Sequence, residues 1–150
     1  MDDLAKVERI EGFRQLCRER GLALTPQRRA ILLAVLDLDD HPTADRVHAA
    51  LARRRVRVSR ATVFRTLESF ARMGIIAKTC HPGSAVRYDR RTDRHHHLVC
   101  LSCDRVIDIS DARLDALPVP DTRPFGFVVS DFKVQLRGIC KECREQEDKT

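Results

Sequence analysis

The sequence predicts an α+β chain in two modules, a helical N-terminal half ending in a β-hairpin and a small C-terminal half of short strands and short helices. Three observations carry this. Apolar residues recur at helical spacing behind capping residues as far as Met73. Beyond Arg94 they come in short extended runs. Charge also changes sides: residues 1–92 hold 19 Lys and Arg against 11 Asp and Glu, a net of +8, whereas residues 93–150 hold 9 against 11, a net of −2. A basic half joined to a slightly acidic one suggests a polyanion-binding module beside a module with another task, although the same charges also suit a solvated surface.

The first half reads as follows. Phe13 and Leu16 lie three apart on a polar helical segment over about 7–20. Thr25 and Pro26 open a second helix, the threonine as cap and the proline in the first turn, with Ile31, Val35 and Leu38 at helical spacing. Thr43 opens a third, with Asp45 near its positive end and Val47 and Leu51 on one face. Ser59 caps a fourth that runs to Met73 and stops at Gly74. At 100° per residue, Val63, Leu67 and Phe70 form one stripe of that helix, Ala61, Arg65, Glu68 and Arg72 lie opposite, and Thr62 and Phe64 flank it. Segments 75–79 and 85–89 around Pro82-Gly83-Ser84 make a hairpin. Helices followed by a small hairpin describe a winged helix-turn-helix, assigned to residues 1–88, with 89–94 as a hinge and 95–150 as the second domain.

In that second domain, 95–101 and 105–109 read as strands around a turn at Cys103-Asp104, and 111–117 as a short helix. Pro118, Pro120 and Pro124 mark a loop, 125–137 a longer strand or strand pair, and 141–150 a charged tail that begins as a helix. Hydrophobic residues make up 43% of the chain, enough for a modest core, and the absence of Trp makes that core one of Leu, Val, Ile and Ala. The start, Met1-Asp2-Asp3, has neither the basic residues nor the apolar stretch of a signal peptide, and no apolar run spans a bilayer. The expected location is therefore the cytoplasm, without membrane attachment, where thiols stay reduced and paired cysteines serve metals or redox chemistry rather than disulfides.

Cys100-Leu101-Ser102-Cys103 and Cys140-Lys141-Glu142-Cys143 are two C-x-x-C pairs. Each places two thiolates on a tight turn, and together they fill a zinc tetrahedron without an open position, which is the structural arrangement. A pair of redox-active dithiols is the competing reading. Just upstream, His95-His96-His97 lie on an extended strand, so His95 and His97 share one face while His96 and Cys100 share the other. Asp108 sits between Ile107 and Ile109, where a carboxylate needs a partner or a metal. Asp89 lies at the module junction. Mixed nitrogen and oxygen donors suit iron(II) or manganese(II), while a histidine run is often a solvated surface feature.

Taken in order, these residues resemble the ferric-uptake-regulator superfamily. The resemblance lies in Gly21-Leu22-Ala23-Leu24-Thr25-Pro26-Gln27-Arg28, in His41-Pro42-Thr43-Ala44-Asp45, in Ser59-Arg60-Ala61-Thr62-Val63-Phe64-Arg65-Thr66-Leu67, in 95–103, and in Gly138-Ile139 with the second cysteine pair. It implies a homodimeric repressor, its C-terminal domain a small α/β dimerisation unit and its winged helices reading palindromic double-stranded operator DNA. Structural Zn2+ would sit on Cys100, Cys103, Cys140 and Cys143. The peroxide-responsive branch of the superfamily resembles the chain most, and its regulatory site falls on His41, Asp89, His95, His97 and Asp108. That site takes Fe2+ or Mn2+, with His41 and His95 as the targets of metal-catalysed oxidation. The iron-sensing branch usually has Glu in place of Asp108 and a late-strand His in place of Asp131-Phe132, and zinc-sensing relatives use overlapping ligands.

For DNA, the resemblance points to Ser59, Arg60, Thr62, Phe64 and Arg65 on the recognition helix. Phe64 replaces a usual Tyr but keeps a ring able to touch a thymine methyl. Arg65 would hold phosphate, and Arg60 phosphate or a base edge. Ala23 stands where relatives often place a cation, an absence that Arg53, Arg54, Arg55 and Arg57 offset electrostatically, if they are not simply a solvated helix end. Cys17 is expected in the core or at its boundary, His48 on a helix surface, His96 as a structural or exposed residue, and Cys80-His81 as a wing pair without metal. No enzyme is expected: a metallohydrolase needs an open position and a general base. A zinc-stabilised thiol redox protein is the alternative from another class.

Overall fold

Within the first unit, residues 1–92, helix α1 (Asp3–Glu19) is followed by α2 (Pro26–Asp37), α3 (Ala44–Arg53) and α4 (Arg60–Arg72). The computed structural model describes residues 3–38, 41–79 and 85–147. All three predicted caps form. Thr25 Oγ1 accepts from Arg28 N at 3.2 Å, Thr43 Oγ1 from Arg46 N at 3.3 Å, and Ser59 Oγ from Thr62 N at 3.1 Å. Each satisfies one of the orphan N–H groups at a helix start, typically a contribution of about 1 kcal/mol. Helix α4 ends where expected: Gly74 takes φ of 70°, a left-handed conformation in which a side chain would be strained.

The apolar stripes meet in one core. Val63, Leu67 and Phe70 of α4 are fully buried with Ile31, Val35 and Leu51, and Phe13 of α1 meets Phe70 edge-on at 5.0 Å. Cys17 lies in the same core. The hairpin strands are shorter than the sequence suggests, β1 (Ala77–Thr79) and β2 (Arg87–Asp89), paired antiparallel with Lys78 opposite Tyr88. The predicted turn at Pro82-Gly83-Ser84, together with Cys80 and His81, lies outside the described residues.

Strand β2 is fixed to the segment before α3. Tyr88 N donates to Pro42 O at 2.9 Å, Arg87 Nη1 to His41 O at 3.1 Å, and Thr43 bridges Arg87. The expectation for His48 needs correction: its ring is half-buried and its Nε2 lies 3.1 Å from Val58 O, so it ties α3 to the chain that enters α4. Burying an imidazole is tolerable where a carbonyl satisfies it.

The second unit, residues 93–150, holds β3 (His96–Cys100), β4 (Val106–Ile109), α5 (Ala112–Asp115), the 3-10 turn η1 (Arg123–Phe125), β5 (Gln135–Gly138) and α6 (Lys141–Glu147). The sheet order is β4-β3-β5, antiparallel between β3 and β4 and parallel between β3 and β5. The long strand expected over 125–137 is not there. Only 135–138 forms a ladder, against His97–Cys100 of β3, and the chain before it is irregular. Asp131 and Phe132, inside that predicted strand, lie in irregular chain. Val134 accepts from His97 N at 3.0 Å through its carbonyl, while its own N–H donates to the side chain of His96, at Nδ1, at 3.0 Å. Among the described residues, no helix is long and apolar enough to cross a membrane.

Candidate functional site

The two cysteine turns converge. Cys100 and Cys143 sulfurs lie 3.9 Å apart, as do Cys103 and Cys140, and all four fall within 4.8 Å of one another. Zinc–thiolate bonds of about 2.3 Å directed to a tetrahedron put sulfurs roughly 3.8 Å apart, so the spacing suits that ion. β3 delivers Cys100, the turn after it Cys103, and the start of α6 Cys143. The left-handed Asp104 (φ 57°) closes the first knuckle, its N–H donating to Cys100 O at 3.1 Å. The N–H of Cys140 donates to the Cys100 sulfur at 3.3 Å, and it leads the causes that hold that thiol well below its ordinary range. For Cys140 the N–H of Cys143 favours the thiolate, but burial and the neighbouring sulfurs outweigh it and push the thiol up. A quartet whose members oppose one another's ionisation is one that a divalent cation resolves.

A second donor set lies on the same unit's β3 and β4. His95, His96 and His97 are the most deeply buried residues of the unit. His95 and His97 share a face: their Nε2 atoms are 3.1 Å apart, and each lies 3.6 Å from Asp108 Oδ1. His95 Nδ1–H donates to Asp93 O at 2.7 Å, which fixes the tautomer and directs the Nε2 lone pair toward the cluster. His96 faces the other way, as its parity requires. It is fully buried and structural: Nε2 lies 3.2 Å from Asp115 Oδ1, Nδ1 accepts from Val134, and the ring stacks on Phe132, over which Arg94 sits at 4.3 Å.

In the first unit, buried His41 and Asp89 meet with His41 Nε2 and Asp89 Oδ2 at 3.3 Å. Arg91 N donates to the other carboxylate oxygen at 2.7 Å. The β2 contacts with 41–43 bring these two distant residues together.

The outer face of α4 carries the remaining candidates. Phe64 is 48% exposed, although no other ring of its size on this helix reaches solvent. Arg65 is exposed beside it. Ser59 and Thr62 hydroxyls bond each other at 2.8 Å, so both serve the helix start. Arg60 is held by Asp45 of α3, to which its Nε donates at 2.9 Å. Of the nearby arginines, Arg54 is bound to Asp37 at 2.8 Å, while Arg53, Arg55 and Arg57 are exposed.

Sequence reasoning missed two features here, the Asp45–Arg60 pair and a link through the protein's one tyrosine. Fully buried Tyr88 donates its hydroxyl to Glu68 Oε1 at 2.8 Å, and Lys78 donates to Oε2 at 2.9 Å. The Lys78 hydrogen bond leads the causes holding the Glu68 carboxyl below its usual range, while burial, with Glu68 beside it, raises the Tyr88 phenol above its own. Tyr88 stands next to Asp89, and Glu68 sits on α4. A lone tyrosine in a predicted strand was the only available signal.

A sequence model described as the Ferric uptake regulator family matches residues 19–137. The peroxide-responsive repressor PerR of Staphylococcus epidermidis is 32% identical over 129 residues, 86% of each chain. Among solved structures, the ferric uptake regulator of Francisella tularensis with iron superposes with a TM-score of 0.71 at 28% identity, over 83% of this chain and 96% of the other. The Helicobacter pylori ferric uptake regulator gives a TM-score of 0.73 over 91% and 92% at 19% identity, a likeness of fold.

Proposed function

The chain belongs to the ferric uptake regulator family, and from that premise we propose that it is a cytoplasmic, homodimeric repressor that binds palindromic operator DNA when a regulatory metal is bound, and releases it on exposure to peroxide. The observation that carries this reading is the donor inventory. Alongside a four-thiolate set suited to structural zinc, each unit sets buried imidazole nitrogen beside a carboxylate, His41 with Asp89 and His95 and His97 with the half-buried Asp108. The similarity to a peroxide-responsive repressor supports the choice of signal.

In this reading His41 and Asp89 of the first unit and His95, His97 and Asp108 of the second are ligands of one iron(II) or manganese(II) ion. The donors fit: neutral imidazoles and carboxylates suit either metal, whereas the thiolates select zinc. Ligands drawn from both units make their relative orientation depend on occupancy. That dependence favours the DNA-competent arrangement only by the difference in affinity between arrangements, and nearly complete switching needs about 5 kcal/mol. Bound iron would supply the redox chemistry by which peroxide oxidises an adjacent imidazole, which manganese does not. His41 and His95 are the imidazoles proposed to gain an oxygen atom, after which each is a poorer ligand. Residues 89–94 act as the hinge between domains 1–88 and 95–150.

On the DNA side, Ser59 and Thr62 shape the start of α4, Phe64 offers a ring to a thymine methyl, and Arg65 holds phosphate. Pairing of two copies through the second unit is supported by its uncovered apolar residues, among them Phe125 and Val128, 83% and 86% exposed. The iron-containing structural relative favours a second reading, an iron-responsive regulator without peroxide sensing.

One experiment separates the two. Anaerobically purified protein is loaded with iron or manganese, and its DNA mobility shift and intact mass are followed before and after peroxide. Peroxide release with iron alone, accompanied by one added oxygen on His41 or His95, supports the peroxide reading. Iron-dependent binding that survives peroxide supports the iron-responsive one, and equal peroxide sensitivity with both metals contradicts metal-centred oxidation.

A further inference from the structure

We propose that Asp45 aims Arg60 at a guanine base, so that this carboxylate–guanidinium pair determines sequence specificity at the start of α4. The inference rests on the DNA-binding reading above and assigns a base preference to it.

Arg60 is the first residue of α4, in the turn that a recognition helix presents to base edges in the major groove. Its side chain is 71% exposed, yet it is not left to wander. Both Nε and Nη2 donate to one oxygen of Asp45, Oδ1. A guanidinium has five donors in a rigid plane, and this contact uses its side edge. The end edge, formed by the two Nη groups, remains as a fork for two acceptors at matched spacing. Guanine offers such a pair in O6 and N7, and no other base edge in the major groove does.

The fork is aimed before DNA arrives. Asp45 lies in the first turn of α3, capped by Thr43, where the helix end favours a carboxylate. Holding a long, flexible side chain in one orientation removes ordering that binding would otherwise require. The surroundings suit a base rather than a phosphate alone: Arg60 lines a groove with Thr43, Asp45, Ala61, Phe64 and Val86. A cation meant only for phosphate gains nothing from a neutralising carboxylate beside it. The plain alternative is an exposed ion pair that contributes little to folding, and it makes a different prediction. If Asp45 merely cancels charge, removing it strengthens binding to every sequence alike.

The test is selection from random-sequence duplex DNA by the full-length, zinc- and manganese-loaded protein, comparing wild type with Arg60→Lys and Asp45→Ala. Zinc content and thermal melting confirm that each variant is folded. Wild type should enrich a guanine at one fixed position of each half-site. Arg60→Lys keeps the charge but lacks the fork, so it should lose that preference by about tenfold or more while other positions and the salt dependence stay unchanged. Asp45→Ala should weaken the same preference and raise affinity for random duplex. Variants that select the wild-type motif with its guanine intact, or an Asp45→Ala whose only change is a uniform gain in affinity, overturn the inference and leave DNA binding standing. A wild type that enriches no motif overturns both.

Discussion

Residues 1–92 bury Ile31, Val35, Leu51, Val63, Leu67, Phe70 and Tyr88 almost completely in one apolar cluster. Residues 93–147 hide little apolar surface beyond Val99 and Val106, and their deepest side chains are three histidines. The same unit leaves Phe125, Phe127, Val128 and Leu136 uncovered. The first unit draws its stability from burial, at about 25 cal/mol per Å² of apolar surface. A segment of under 60 residues with so few buried apolar groups needs a metal or a second copy to hold its fold. The division teaches where a signal can act: if ions knit the second unit as proposed, it answers to the ions around it, while the first keeps its shape.

The largest expected effect comes from breaking the cysteine quartet proposed to hold zinc. Structural zinc contributes about 10–16 kcal/mol of binding energy to small domains. Cys143→Ser, or a strong chelator, should therefore unfold the second unit while the helices of the first persist. Hydrogen exchange resolved along the chain checks this, and uniform loss of protection in both units would erase the contrast drawn here. Phe70→Ala attacks the other side. It should destabilise the first unit by about 3–5 kcal/mol and leave zinc content unchanged.

Smaller effects sharpen the same contrast. Val128→Asp should weaken self-association by tenfold or more in sedimentation while barely changing the melting of the first unit, since this side chain buries nothing within its own chain. Glu68→Gln should cost the first unit about 0.5 kcal/mol near neutral pH. Because the folded state holds the Glu68 carboxyl below its ordinary 4.5, its contribution is present above that value and fades as pH falls through the lowered one. Wild type and variant should therefore converge in acid when followed by the helical signal.

Much of this was legible in the sequence, and unevenly so. The caps at Thr25, Thr43 and Ser59 were readable because capping is local, needing one side chain and an N–H three residues on. The stripe of Val63, Leu67 and Phe70 followed from helical period alone. The spacing of Cys100, Cys103, Cys140 and Cys143 marked them as one cluster, and strand parity separated His96 from His95 and His97. The strand over 125–137 was misread because an apolar run gives no information about whether a partner edge exists. The Asp45–Arg60 and Tyr88–Glu68 pairs were hidden for a similar reason: each joins side chains 15 or 20 positions apart on different elements, and no local pattern marks such contacts.

The central claim is that one regulatory ion takes ligands from both units. Manganese affinity of the zinc-loaded protein, titrated by calorimetry for wild type, His41→Ala and His97→Ala, tests it most directly. Loss of a ligand from either unit should weaken binding by more than about tenfold, the scale on which even an outer partner of a ligand acts. If His41→Ala binds manganese as tightly as wild type while His97→Ala does not, the ion belongs to the second unit alone and the coupling proposed between the units is wrong.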